Sequence, residues 1–151
     1  LKPRYQWTQA TFQKVVLDES YDGTTDIFPG TVLTRLADNR VKVCDGTTAP
    51  AGLCENWCAP VFGIDEVRIN GTWDMSMCVM GPDAVMAVSA PAYDTECEWA
   101  EANELLNSGK AVYLKANGKG LLTLEGTERS ENSVCRLVGV EGPEIYVAGL
   151  L

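Results

Sequence analysis

The 151-residue chain contains no histidine, the side chain that most often serves as a general base in enzymes and as a metal ligand. This absence excludes the Ser-His-Asp and Cys-His arrangements of nucleophilic catalysis. The sequence also lacks a Gly-x-Ser-x-Gly motif and a glycine-rich phosphate loop that leads into Lys-Ser or Lys-Thr. We therefore predict that the protein is not an enzyme and has no catalytic, cofactor-binding or metal-binding residues.

Clusters of basic residues are absent as well. The chain has 12 basic and 21 acidic residues, which give a net charge of −9. Contact with nucleic-acid phosphates or with an anionic membrane surface depends on clustered Lys and Arg, so we expect neither partner. No apolar run approaches the ~18 residues that cross a bilayer, and the first seven residues lack the apolar core of a signal peptide.

Two aspartates are candidates for acid–base chemistry. Asp22 and Asp45 each begin an Asp-Gly-Thr-Thr segment, and two carboxylates can share a proton in catalysis. The residue order differs from the Asp-Thr-Gly of aspartic proteases, and Asp-Gly is common in turns. We predict two similar turns rather than a catalytic pair.

The six cysteines allow either disulfides or buried thiols; they are Cys44, Cys54, Cys58, Cys78, Cys97 and Cys135. Six cysteines in a secreted chain would indicate a disulfide framework. A chain of this length, however, buries roughly 70% of its unfolded surface and does not depend on cross-links. We predict reduced structural thiols, with Cys54 and Cys58 as the pair most open to oxidation; that pair lacks a second one at zinc-site spacing.

Hydrophobic residues make up 46% of the chain and charged residues 22%, which is typical of a globular protein. Short strand-like segments recur at intervals of 8–12 residues between turn signals, a pattern that favours a mainly β fold such as a small barrel or a sandwich. We divide the chain into an N-terminal arm and first strand, residues 1–28, and a β-rich domain, residues 29–151.

One helix is predicted, over about residues 96–108. Thr95 and Glu98 have the spacing of a capping box, and Gly109 is placed to end the helix. Hairpin turns are predicted at Asn70-Gly71 and at Asn117-Gly118. Residues 54–60 are predicted as a loop or one helical turn, and residues 61–69 as a strand.

The apolar segment 73–90 contains all four methionines and predicts strands buried on both faces. Core packing explains such a composition, but an interface between copies of the chain would explain it too, since methionine and aromatic residues are enriched at interfaces.

The stretch Pro29–Leu53 predicts a β-hairpin followed by a surface loop. Residues 31–36 are β-branched and apolar, residues 37–39 have turn chemistry, and residues 40–44 alternate charged and apolar side chains. Asp45-Gly46-Thr47-Thr48 then interrupts the second strand.

The Pro-Gly-Thr-Val-Leu, Val-x-Val and Asp-Gly-Thr-Thr elements of this stretch resemble the lambda-type head-decoration, or cement, proteins of tailed bacteriophages. The resemblance implies a β-tulip-like fold and a homotrimer that binds the major capsid protein on the capsid exterior and stabilises the shell. It also implies synthesis in the host cytoplasm and a final location in the virion. In that family an N-terminal arm touches the shell.

Large aromatic residues are the candidate partner-binding residues: Tyr5, Trp7, Phe12, Trp57 and Trp73. Core packing is the alternative role for those near the N-terminus. A tail-tube or adhesin-like module or a carbohydrate-binding domain would instead expose Trp57 and Trp73 together on one face. After the capsid decoration protein and this second hypothesis, a secreted disulfide-bonded domain is the third.

Overall fold

A computed structural model describes residues 1–3, 10–69, 72–82 and 84–150, and strands predominate among them, as predicted. The strands of the first half are β1 Lys2–Pro3, β2 Ala10–Leu17, β3 Val32–Arg35, β4 Arg40–Val43, β5 Gly52–Cys54, β6 Cys58–Ala59, β7 Ile64–Asp65 and β8 Arg68–Ile69. The remaining elements are β9 Thr72–Met80, β10 Val85–Ser89, α1 Trp99–Asn107, β11 Tyr113–Ala116, β12 Leu122–Gly126, β13 Ser133–Glu141 and β14 Glu144–Ala148.

The predicted hairpin within residues 29–53 is confirmed. Strands β3 and β4 pair antiparallel, with Leu33 opposite Val43. Between them Asp38 and Asn39 have φ values of 59° and 61°, in the left-handed region that these two residue types tolerate better than most. The hairpin is the centre of the first sheet, whose strand order is β2-β4-β3-β5-β9-β8.

The pairings of the first sheet return to the strand from which they start. Strand β2 pairs antiparallel with β9 from Ala10 to Val16, and its last two residues pair parallel with β4. Strand β9 in turn pairs with β5, and β5 pairs with β3. Five strands therefore form a closed circuit of hydrogen-bonded neighbours.

The second sheet is antiparallel throughout and has the order β1-β10-β14-β13-β11-β12. Helix α1 packs against β13 in this sheet. Two local predictions in this half of the chain are confirmed: the hairpin turn at Asn117-Gly118, between β11 and β12, and the end of the helix at Gly109. Gly109 and Lys110 donate their amides to the carbonyls of Leu106 and Leu105, which satisfies the last turn.

The predicted helix is confirmed, but its start is not the predicted capping box. The helix begins at Trp99, so the N-cap is Glu98, which makes no side-chain capping bond. Asp94 instead organises the approach: its carboxylate accepts the amide of Glu96, and its carbonyl accepts the indole N–H of Trp99 at 2.7 Å. Burial of Trp99 against the sheet thus takes precedence over the local capping signal at Thr95.

Alternating side chains supply two separate cores. The first-sheet core consists of Val15, Leu17, Ile27, Leu33, Val41, Cys54, Cys58, Val67, Met75 and Met77. The shared core takes residues from both sheets and from α1, among them Val32, Leu53, Cys78, Met86, Trp99 and Leu137. Because side chains alternate along a strand, adjacent residues enter different cores.

Strand β9 shows this alternation where the sequence predicted burial on both faces. Met77 and Cys78 are both fully buried, the first in the first-sheet core and the second in the shared core. Met75 and Met86 are also buried within one chain. Core packing therefore accounts for these three methionines without a contact between copies.

The predictions for residues 54–69 are wrong in part. Cys58–Ala59 is a short strand rather than loop, and it pairs with Ile64–Asp65. Between these strands Pro60–Phe62 forms a 3-10 turn that ends at Gly63, with φ 71°, so residues 61–69 are not one strand. The predicted Asn70-Gly71 turn lies outside the described residues, although Ile69 pairs with Thr72 on either side of it.

A close contact joins the two sheets at Gly120. The Gly120 carbonyl accepts the amide of Val32 at 2.8 Å, and φ at Gly120 is +78°. A Cβ at this position would collide with the side chain of Val43 and lie 3.1 Å from that of Thr31. The hairpin between β11 and β12 can approach the first sheet only because residue 120 has no side chain.

We expect Gly120→Ala to lower the free energy of unfolding by about 2–4 kcal/mol, from left-handed strain and overpacking together. The matched control is Gly118→Ala in the same turn, where an added Cβ meets nothing within 4 Å. Its effect should stay within about 1 kcal/mol. Urea denaturation checks both variants, and equal losses in the two would contradict the proposed contact.

All six cysteines are free in the structure, including Cys54 and Cys58, and five of them are buried. This arrangement agrees with the prediction of reduced structural thiols. Burial raises the thiol pKa of Cys54 to about 12 and that of Cys78 to about 11. These thiols are shielded from reagents and are protonated at neutral pH, which makes them poor nucleophiles.

We expect a maleimide at pH 7 to label the folded protein mainly at Cys97, which is half-buried. In denaturant without reductant, all six thiols should react, because unfolding removes the burial that protects the other five. Mass spectrometry of the labelled chain gives both numbers. Fewer than six labelled thiols after unfolding would indicate a disulfide.

Candidate partner-binding surface

Of the three predicted aromatic residues that the structure describes, Phe12 is the exposed one. Its side chain is 46% exposed on β2, and its neighbours Thr11, Gln13 and Lys14 are exposed as well. Phe12 pairs with Cys78 of β9, so a regular strand holds its backbone. The other two N-terminal candidates, Tyr5 and Trp7, lie outside the described residues.

The two predicted tryptophans are half-buried and pack against different cores. Trp57 makes an edge-on contact with Phe28 at 5.6 Å between ring centroids. Trp73 makes a similar contact with Tyr21 at 4.8 Å, and the Arg68 guanidinium lies 5.2 Å from the Trp73 ring centroid. Each indole thus has its own intramolecular partners, and only part of each ring faces outward.

The repeated Asp-Gly-Thr-Thr segments form two similar turns, as predicted. Asp22 accepts the amide of Thr24 at 2.8 Å, and Asp45 accepts the amide of Thr47 at 2.9 Å. Hydrogen bonds to Thr24 and to Thr47 lower the pKa of Asp22 and of Asp45, respectively. Both carboxylates are ionised at neutral pH and are engaged by their own loops.

A depression of about 220 Å³ lies beside the first of these turns, with Asp18, Tyr21 and Asp22 in its lining. Hydrogen bonds from Ser20 lower the pKa of Asp18, as those from Thr24 lower the pKa of Asp22. Both carboxylates are therefore ionised at neutral pH. Tyr21 is held by its own contacts, since its hydroxyl donates to the Thr25 carbonyl at 2.8 Å. Among the residues that the structure describes, no group of three or more His, Cys, Asp or Glu side chains could hold a metal ion.

Among the residues that the structure describes, the most exposed large apolar side chains are two that were not predicted from the sequence. Val61 is 75% exposed and Phe62 is 67% exposed, in the turn between β6 and β7. We call Pro60–Gly63 the apolar tip. A signal for it was present, because proline at the start of a short helical turn and glycine just after it are typical boundaries.

Acidic side chains are exposed elsewhere on the surface, away from the apolar tip. Glu101 and Glu104 of α1 are exposed, and so are Glu96 and Glu98 just before the helix. The apolar tip differs from this surface, because no charged residue occurs between Cys58 and Ile64. In the part of the chain that is described, no helix is long and apolar enough to cross a membrane.

Comparison with known proteins identifies the family. The profile of the phage cement protein family matches residues 1–148, which include both sheets, the helix and the apolar tip. No curated protein and no solved structure matches the chain significantly. The family match confirms the resemblance first seen in Pro29–Leu53, and the family is one of structural proteins rather than enzymes. The chain therefore belongs to the phage cement protein family and has a structural role associated with a phage capsid.

Proposed function

We propose that this protein binds the outer surface of an assembled phage capsid and stabilises the shell without any enzymatic activity. The observation that carries the proposal is the family match over residues 1–148. The partner is the major capsid protein. The protein is made in the host cytoplasm and is added to the exterior of the virion.

The proposed assembly is a homotrimer of small β-barrel, or β-tulip-like, domains. The closed circuit of five strands supports the barrel, because closure leaves few free strand edges. A closed three-fold arrangement would hold three copies of each weak capsid contact together. Linked contacts of this kind can increase affinity by about 10²–10⁴ without any new type of interaction.

The proposed capsid contacts include Phe12, whose exposed ring on β2 is available to a partner. Tyr5 and Trp7 would act with it in the segment 1–28, an N-terminal arm and first strand, whose arm would touch the shell. The outward parts of Trp57 and Trp73 complete the proposed set. The acidic surface would limit contact with DNA, whose phosphates it repels.

We expect the purified protein to have a solution mass three times the 16.4 kDa of one chain and to co-sediment with undecorated heads of its own phage. Decorated heads should withstand a higher temperature before they release DNA, because each bound trimer ties neighbouring capsid subunits together. Light scattering, sedimentation and a thermal release assay measure these three properties. Heads that already carry the protein serve as the saturated control.

Failure of co-sedimentation at saturating protein would contradict capsid binding. A monomeric mass together with binding would contradict only the trimer. Binding without a change in the release temperature would contradict stabilisation of the shell.

Phe12→Ser should weaken binding to heads by about tenfold, since burial of an exposed aromatic ring contributes about 1–2 kcal/mol. Val138→Ser is the matched control, because Val138 is also exposed, at 37%, but lies on β13 of the other sheet. A binding isotherm with fluorescent protein compares the two. Equal affinities would remove Phe12 from the contact set.

A further inference from the structure

The apolar tip presents two large hydrophobic side chains to solvent at the end of a short hairpin. Val61 and Phe62 are more exposed than Phe12 and Val138, the other exposed large apolar residues of the described chain. An added Cβ at Gly63 would meet no atom within 4 Å, so the protein itself leaves the space beside the tip open. Two adjacent exposed apolar side chains form a small patch that a partner could cover.

The base of the hairpin is fixed in the protein interior. Cys58 and Ala59 are fully buried, and Cys58 exchanges two backbone hydrogen bonds with Ile27. The Cys58 thiol also lies 2.6 Å from the hydroxyl of Tyr21. The strand that leads into the tip is therefore anchored to the first-sheet core.

The two residues that flank the hairpin, Trp57 before β6 and Glu66 after β7, are hydrogen-bonded to each other. The amide of Trp57 donates to the Glu66 carboxylate at 3.0 Å, and the amide of Glu66 donates to the Trp57 carbonyl at 2.9 Å. Within the tip, the amide of Gly63 donates to the Pro60 carbonyl at 3.1 Å. A hairpin that is held by hydrogen bonds at its strands, at its flanking residues and in its turn loses little conformational freedom when a partner binds it.

The chemistry of the tip selects the kind of partner. No charged residue lies between Cys58 and Ile64, in a chain whose net charge is −9. An apolar recess in a protein surface complements such a group, whereas a phosphate backbone or a charged headgroup does not.

The area of the tip limits what it can hold by itself. Its two side chains together expose roughly 250 Å², given the size of an aromatic side chain. A stable pair of proteins buries ~1,200 Å² or more, so the tip alone could not hold two copies of the chain together.

We propose that the apolar tip inserts Val61 and Phe62 into an apolar recess on the outer surface of the capsid shell. The inference rests on the proposed function, because a small contact of this kind becomes effective when many copies act on one lattice. The tip supplies the hydrophobic contact with the shell. The buried strand at its base connects that contact to the first-sheet core.

The test compares the double variant Val61→Ser/Phe62→Ser with the wild-type protein in binding to undecorated heads of the same phage. We expect at least about a tenfold loss of apparent affinity, as for a central interface contact. The variant should keep the wild-type denaturation midpoint and solution mass, because both side chains project into solvent. Val138→Ser is the control for loss of an exposed apolar group elsewhere, and Phe62→Leu, which keeps the tip apolar, should retain binding.

The outcomes separate this inference from the proposed function. If the wild-type protein binds heads and the double variant binds equally well, the role of the tip is overturned and the capsid function stands. A fall in solution mass of the double variant would place the tip between copies of the chain and also overturn the inference. If the wild-type protein itself does not bind, both proposals fail.

Discussion

The contact between Gly120 and the first sheet is the constraint on which the arrangement of the two sheets depends. The Gly120 carbonyl completes a backbone hydrogen bond to Val32, and the side chains of Thr31 and Val43 occupy the space where a Cβ would lie. The shared core on either side of this contact contains residues of both sheets and of α1. Its packing requires the close approach that glycine permits, so one backbone position influences burial across the whole protein.

Much of the fold could be predicted because its information is local. The hairpin of β3 and β4 follows from alternating side chains around Asp38 and Asn39, two residues that accept a left-handed backbone. The end of α1 at Gly109 follows from the same kind of local rule. The helix start shows the limit of such rules, because the position of Trp99 in the shared core decides it and Thr95 does not.

The hairpin of β6 and β7 could not be predicted as strands, because each strand has only two residues and depends on a distant partner. Ile27 pairs with Cys58, and no periodicity in residues 54–69 indicates that pairing. The candidate surface was hidden for a similar reason. Composition identifies Trp57 and Trp73 as large aromatic residues, but only tertiary structure shows that Phe28 and Tyr21 cover part of each ring.

Electrostatic repulsion and apolar attraction act over different distances, and the charged and apolar groups of this protein occupy different parts of its surface. Repulsion between acidic copies extends over about one Debye length, ~8 Å at physiological salt, whereas apolar attraction requires direct contact. A net charge of −9 therefore disfavours random association in solution, while the neutral apolar tip can still associate where a complementary recess meets it. Attachment then depends on the fit of the tip and on the number of copies acting together, which suits a protein that belongs on an ordered lattice and not on arbitrary surfaces.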